Sequence, residues 1–270
     1  MQNITSVTVN IMIKKFHSIL LIPAFLTACA TSPTGRSQLL IMSDTEMQQM
    51  GEQSFATLKK DMPIEQDPKI NAYVNCVATA ITNEVDGDWE VVVFKEPSAN
   101  AFALPGRKIG IHTGLLAVAQ NQDQLAAVLG HEVAHVLANH GNERVSQQSA
   151  VNQGLSIGQA IMNPQSELGK TGMGLLGLGT QYGIIMPFSR THESEADIYG
   201  LDLMAKAGFD PQESVTLWIN MGKAGGETPP EFMSSHPAHD TRIQDLQKQM
   251  PKALELRKEA QAKGKNPQCK

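Results

Sequence analysis

The stretch HEVAHVLANH, residues 131 to 140, places three histidines and one glutamate close together. On a helix of 3.6 residues per turn, His131 and His135 emerge from one face about one turn apart, so two imidazoles can converge on a single metal ion. Glu132 is rotated by about 100° from His131, which puts it beside the ion rather than on it. From there it would take a proton from water that the metal acidifies and deliver it to a leaving amine. That is the chemistry of peptide-bond hydrolysis. His140 lies two and a half turns beyond His131 on the same reckoning and is expected to face away as a surface histidine near the helix end.

A catalytic zinc needs a third protein ligand and one open position. The segment SRTHESEAD offers both a ligand and its support. Glu193 and Asp197 are four apart and share a helix face. Glu193 would complete a two-histidine, one-glutamate set, and Asp197 would accept the second ring N–H of a ligand histidine. In HPAHDTR, His236 precedes a proline in a loop, which is not a core position. It would donate to the oxyanion of the tetrahedral intermediate, or swing in as a fourth ligand that keeps the resting site closed. Arg242 would steady that loop through a carboxylate that the sequence does not identify.

HEVAH, followed by Glu193-Ser-Glu-Ala-Asp197 and preceded by Asn100-Ala-Phe-Ala-Leu-Pro-Gly106, resembles the gluzincin zinc metallopeptidase family of Oma1, HtpX and the CaaX-processing endoprotease. The resemblance covers residues 43 to 250 and implies an α+β fold. In it a mainly helical, zincin-like domain carries a small β-sheet, a strand and hairpin at 89–112, beside the HExxH helix. It also implies one Zn2+ per chain on His131, His135 and Glu193, with Glu132 catalytic, Asp197 supporting, and Glu195 at a variable position without a role. Asn100, Ala101 and Phe102 would line the cleft as an edge strand pairing main chain to main chain with an extended substrate. The polytopic relatives carry spanning helices, whereas this chain looks like the periplasmic lipoprotein branch.

The elements that must position these residues follow from periodicity and capping. Ser43 with Glu46 is a capping box opening a first helix, and a second covers 68–84. Trp89 to Phe94 is a strand, and Asn100 to His112 a hairpin turned by Pro105-Gly106. Leu125, Val128, Leu129, Val133, Val136 and Leu137 recur at helical spacing over 121–140, with Gly141 as the stop. Further helices are expected over 189–207, 211–223 and 239–263, the last with a solvated charged face. The glycine-rich run within 151–186 reads as closely packed helices or a mobile flap over the cleft, with membrane contact as the alternative.

Residues 1–28 read as a signal peptide, with Met12 the better start: Lys14 and Lys15 precede an apolar run too short for the roughly 20 residues a membrane span requires. Leu-Thr-Ala-Cys29 resembles the bacterial lipobox. Cys29 is then lipidated, residues 29–42 form a tether, 43–250 the zinc metallopeptidase domain, and 251–270 a charged C-terminal helix and tail. By resemblance to the lipoproteins of Gram-negative bacteria, in which an aspartate after the cysteine favours the inner membrane, Ala30 implies a lipid anchor at the periplasmic face of the outer membrane. In that oxidising compartment the two remaining cysteines, Cys76 and Cys269, form a candidate disulfide.

A net charge of -5 gives no basic field for nucleic acid. The partners expected are unfolded or misassembled envelope proteins as substrates, the outer membrane through the lipid anchor, and the outer-membrane assembly machinery. The alternative function is a chaperone or assembly factor for outer-membrane proteins that uses the same cleft but does not need Glu132. Zinc scavenging would require surplus exposed ligands, which the sequence lacks.

Overall fold

A computed structural model describes residues 29–161, 188–224, 230–237 and 241–270. The signal peptide expected at 1–28 and most of the glycine-rich run lie outside the described residues. After a two-stranded hairpin of β1 (Cys29–Thr31) and β2 (Ser37–Leu39) come helices α1 (Asp44–Asp61) and α2 (Pro68–Thr82). Strands β3 (Glu90–Phe94), β4 (Ala101–Leu104) and β5 (Lys108–His112) follow, then α3 (Leu115–Val118), α4 (Gln122–Leu137) and α5 (His140–Ile161). The remaining helices are α6 (Arg190–Lys206), α7 (Glu213–Ala224), α8 (Glu231–Ser235) and α9 (Arg242–Ala262). The fold is the mainly helical α+β arrangement expected.

Local chemistry accounts for the elements. Ser43 and Glu46 form the reciprocal capping box that opens α1. The β4–β5 turn passes through Gly106 and Arg107 at φ 82° and 58°, and glycine enters that left-handed region without steric cost. In the three-stranded sheet β5 is central, parallel to β3 and antiparallel to β4, which leaves β4 at an edge. The core joins Val74, Val77 and Ile81 of α2, Ile109 and Ile111 of β5, and Leu125, Leu129 and Val133 of α4 with Leu203 and Met204 of α6.

Helix α4 is the axis of this core: every residue from Gln124 to His135 is buried. A helix enclosed on all sides needs small residues where neighbours approach. At its crossing with α6, Gly130 meets Gly200, and a Cβ on Gly200 would lie 2.7 Å from the His131 backbone nitrogen. The two helices that carry HEVAH and ESEAD therefore touch backbone to backbone.

Two expectations are corrected. Helix α4 ends at Leu137 rather than continuing to Gly141, because Asn139 adopts φ 54°, and a new helix starts at His140. Asparagine is among the few residues that tolerate this conformation. Residues 30–39 are no free spacer but a hairpin bonded to the domain, with Gln38 Nε2 donating to Glu143 Oε2 at 3.0 Å and Ile41 N to Ser146 Oγ at 2.8 Å. Helix α9 spans residue 250 without a break, in keeping with the helix expected over 239–263. The tail beyond it is tied back to α2 by the disulfide Cys76–Cys269, closing 193 residues of chain. Among the described residues no helix is long and apolar enough to cross a membrane.

Candidate metal centre

The Asn121 side chain caps α4 by accepting from Gln124 N, and Ser189 caps α6 by accepting from His192 N. These caps and the Gly130–Gly200 crossing bring His131, Glu132 and His135 against Glu193 and Asp197. His236 follows α8 immediately, its ring stacked on Phe232 with centroids 4.5 Å apart. His131, His135, Glu193 and His236, all buried, present donor atoms within 4.8 Å of one another.

Within that group the geometry suits one ion. His131 Nε2 lies 3.0 Å from His135 Nε2 and 3.5 Å from Glu193 Oε2, and His135 Nε2 lies 3.5 Å from Glu193 Oε1. His236 Nδ1 is 3.2 Å from His131 Nε2 and 3.1 Å from Glu193 Oε1. Donors about 2.0–2.1 Å from a tetrahedral zinc are separated by roughly 3.3 Å. Two buried carboxylate oxygens, Glu132 Oε1 and Glu193 Oε2, receive no aligned hydrogen bond, although His236 Nε2 lies 3.3 Å from Glu132 Oε1. Buried acceptors of this kind are costly unless something else satisfies them. Arg242 Nη1 approaches Glu193 Oε2 at 3.1 Å, out of hydrogen-bond alignment. Two buried carboxylates, Glu193 and Asp197, share the guanidinium of Arg242, and Glu132 lies beside His236 instead; a cation among the imidazoles would add to that balance. The residues fit a metal.

The electrostatics agree. Burial disfavours a charged His131, but its hydrogen bonds to Asp197 and Glu193 outweigh it and hold the imidazole at about 9. Burial likewise opposes the Glu193 carboxylate, yet hydrogen bonds from His131, His135 and His236 keep it well below the usual carboxylate range. Burial pushes the Glu132 carboxyl up, with His236 and His131 pulling the other way. The carboxylates around His131 thus favour positive charge at its ring, and the three imidazoles favour the anion of Glu193.

Supporting residues complete the picture. His131 Nδ1 lies 3.0 Å from Asp197 Oδ1, which fits the carboxylate support expected of Asp197. Arg242 donates from Nη2 to that same oxygen at 2.7 Å, so the carboxylate it holds is Asp197. Its guanidinium also lies over the Trp218 ring, 3.4 Å from the centroid. Glu132 Oε2 accepts from Ala103 N at 3.0 Å, tying the edge strand to the helix.

Alternation along β4 then refines the cleft. Asn100 O accepts from His112 N, and Phe102 pairs with Gly110 of β5 while its ring packs beside Phe55 and Phe94. The main chains of Ala101 and Ala103 face the open edge instead. The backbones of Asn100 and Phe102 thus turn to β5, and that of Ala101, whose side chain lies in the core, turns to the edge. Beside that edge opens a cavity of about 350 Å³ bounded by Ala103, Leu104, His135, Arg144 and Phe188. Cys29, Cys76 and Cys269 lie outside the cluster.

His140 is the main correction. It is fully buried, with Nδ1 2.8 Å from His135 Nδ1 and Nε2 3.1 Å from Glu195 Oε2. The break at Asn139 turns it back toward the site. Burial pushes its imidazole down to about 4 against the pull of Glu195, so it is neutral with one N–H. Glu195, assigned no role above, is buried and bonded to Thr34 and Arg36 as well. Sequence reading missed this network, whose only local trace is histidine and glutamate paired in both HGNE and THESE.

A sequence profile described as Peptidase family M48 matches residues 63–250. The mitochondrial metalloendopeptidase OMA1 of Schizosaccharomyces pombe is 37% identical over 176 residues, covering 64% of this chain and 50% of the relative. The bovine (Bos taurus) mitochondrial metalloendopeptidase OMA1 is 32% identical over 257 residues, covering 88% and 49%. The Escherichia coli β-barrel assembly-enhancing protease is 29% identical over 235 residues, covering 83% and 48%. The chain spans about half the length of the curated relatives it matches. With HEVAH and Glu193 held against each other inside the matched region, the chain belongs to peptidase family M48.

Proposed function

We propose that this chain is a zinc-dependent endopeptidase that cleaves unfolded or misassembled proteins of the cell envelope. The observation that carries the proposal is the convergence of buried donors from His131, His135 and Glu193, with Glu132 Oε1 beside them and 3.3 Å from His236 Nε2. Those three residues would hold the zinc. Bound there, zinc supplies Lewis-acid chemistry, polarising a peptide carbonyl and acidifying water. Glu132 Oε1 takes the proton from the attacking water and returns it to the departing nitrogen. Burial raises this carboxyl, which suits a group that holds a proton between two steps. Its other oxygen, fixed by Ala103 N, keeps it in place.

An extended peptide would add to the edge of β4 through the main chain of Ala101 and the carbonyl of Ala103, whose N–H is already held by Glu132. Backbone pairing asks little of the substrate sequence, which favours unfolded chains. His236 in this conformation supplies a fourth donor and closes the site, so it swings aside for substrate to enter. The name of the Escherichia coli relative, a β-barrel assembly-enhancing protease, supports substrates or partners in outer-membrane assembly. Cys29 as a lipid anchor would hold the chain at the periplasmic face of that membrane.

Elemental analysis and casein hydrolysis test the proposal together. One zinc per chain, cleavage by the wild type and none by Glu132→Gln are expected. Cleavage that survives in Glu132→Gln, or a protein without zinc, refutes the mechanism. If the zinc-loaded wild type is silent, His236→Ala separates a closed protease, which the substitution activates, from a chaperone, which it does not.

A further inference from the structure

We infer that His140 is a positioning residue for the metal centre, and that the N-terminal hairpin holds it there through Arg36. The inference rests on reading His135 as a zinc ligand through Nε2, the atom facing His131 Nε2 at 3.0 Å. An imidazole that gives one lone pair to a cation carries its proton on the other nitrogen. His135 Nδ1–H therefore donates, and the atom it meets at 2.8 Å is Nδ1 of His140. To accept, His140 must carry its own proton on Nε2, which lies 3.1 Å from Glu195 Oε2. Glu195 thus selects the tautomer of His140, and His140 selects that of His135.

Every support of this relay leads back to the hairpin. Glu195 accepts from Arg36 Nε at 3.0 Å and from Thr34 Oγ1, both in the turn between β1 and β2. The Nη1 and Nη2 atoms of Arg36 clamp the two oxygens of Glu143, each at 2.7 Å. Glu143 Oε2 lies 3.1 Å from His192 Nε2, and the His192 ring stacks on His140 with centroids 4.5 Å apart and planes 23° from parallel. The His140 ring is held at both nitrogens and across one face.

His131 follows the same logic over a shorter distance, through Asp197 to Arg242. The two arginines differ in setting. The Arg242 side chain is 2% exposed within the core, whereas that of Arg36 retains 25% exposure on a two-stranded hairpin. The His135 support is consequently the one that can be undone without opening the core. It also places the order of the metal centre under the control of residues that directly follow Cys29.

The test measures zinc affinity of the full chain by chelator competition, with the visible absorption of the cobalt-substituted protein and the melting temperature of the zinc-free form alongside. Loss of a residue supporting a ligand typically weakens metal binding about 10–100-fold. That loss is expected in both His140→Leu and Arg36→Met, with a shifted cobalt spectrum. His140→Gln, whose amide can still accept and donate, should recover most of it. His135→Ala is the control and should lose more than either. If His135→Ala weakens zinc but His140→Leu and Arg36→Met stay within twofold of wild type, the positioning role is overturned while the metal site stands. If His135→Ala binds zinc like wild type, the ligand reading fails and the inference falls with it. Should His140→Leu not fold, Arg36→Met decides. A lower melting temperature with unchanged affinity and cobalt spectrum would make Arg36 merely structural and overturn the inference.

Discussion

Adding one methyl group at Gly200 tests whether the α4–α6 crossing sets the metal geometry. The new Cβ would lie 2.7 Å from His131 N and 2.8 Å from both Gly130 C and His131 Cα. All three are backbone atoms, so no side chain can swing aside. Ordinary contact begins near 3.4 Å, and the helices must separate locally by roughly 0.7 Å to reach it. Metal–ligand distances tolerate only about 0.2 Å. His131 sits at the crossing itself and Glu193 two turns away on the other helix, so a separation of that size misplaces one donor against the others. Overpacking costs about 1–3 kcal/mol. Expressed at the site, that cost weakens zinc about 5- to 150-fold. Chelator competition on Gly200→Ala reads the affinity, and thermal melting of the zinc-free protein reads any part taken up by the fold. Gly222→Ala on α7, where a Cβ meets nothing within 4 Å, is the matched control. It should stabilise by about 0.4–1 kcal/mol and leave zinc unchanged. Gly200→Ala with zinc affinity within twofold and an unaltered melting temperature would refute the reasoning.

Replacing both Cys76 and Cys269 by alanine opens a closure of 193 residues, and chain entropy sets the loss at up to roughly 5 kcal/mol, readable as a lower urea midpoint. A midpoint within error of wild type would mean the tail is held by other contacts. Glu143 governs part of the acid limb of stability. Burial opposes its charge, but the Arg36 clamp lowers its carboxyl to about 2, below an unfolded value near 4.5. Its contribution is therefore complete above about pH 5 and disappears as pH falls toward 2. In the zinc-free protein, Glu143→Gln should lose less stability than wild type between pH 6 and pH 3, and equal losses would contradict the assignment. Zinc at a thousand times its dissociation constant should add about 4 kcal/mol to unfolding, measured as a higher melting temperature that a chelator reverses. The absence of any shift would remove the metal from the folded state.

Much of the centre was legible because its rules are local. The i, i+4 relation of His131 and His135 follows from helical period alone, as does the shared face of Glu193 and Asp197. The capping box at Ser43, the β3 strand and the β4–β5 turn at Pro105-Gly106 likewise depend on neighbouring residues, and each lies where periodicity and turn chemistry place it.

What the sequence could determine by itself ended where one helix ended. His140 was assigned outward by extending the period of α4 through a residue, Asn139, whose φ of 54° breaks that period and redirects the chain. Only the tertiary structure decided that His140 meets His135, because the supports of its ring come from distant segments. Arg36 and Glu195 are separated by 159 residues, and Arg242 and Asp197 by 45. No spacing rule spans such separations: which charged groups become partners depends on how α6, α9 and the N-terminal hairpin close around α4. Burial then turns those contacts into constraints, since a buried carboxylate or guanidinium must find its partner or destabilise the fold.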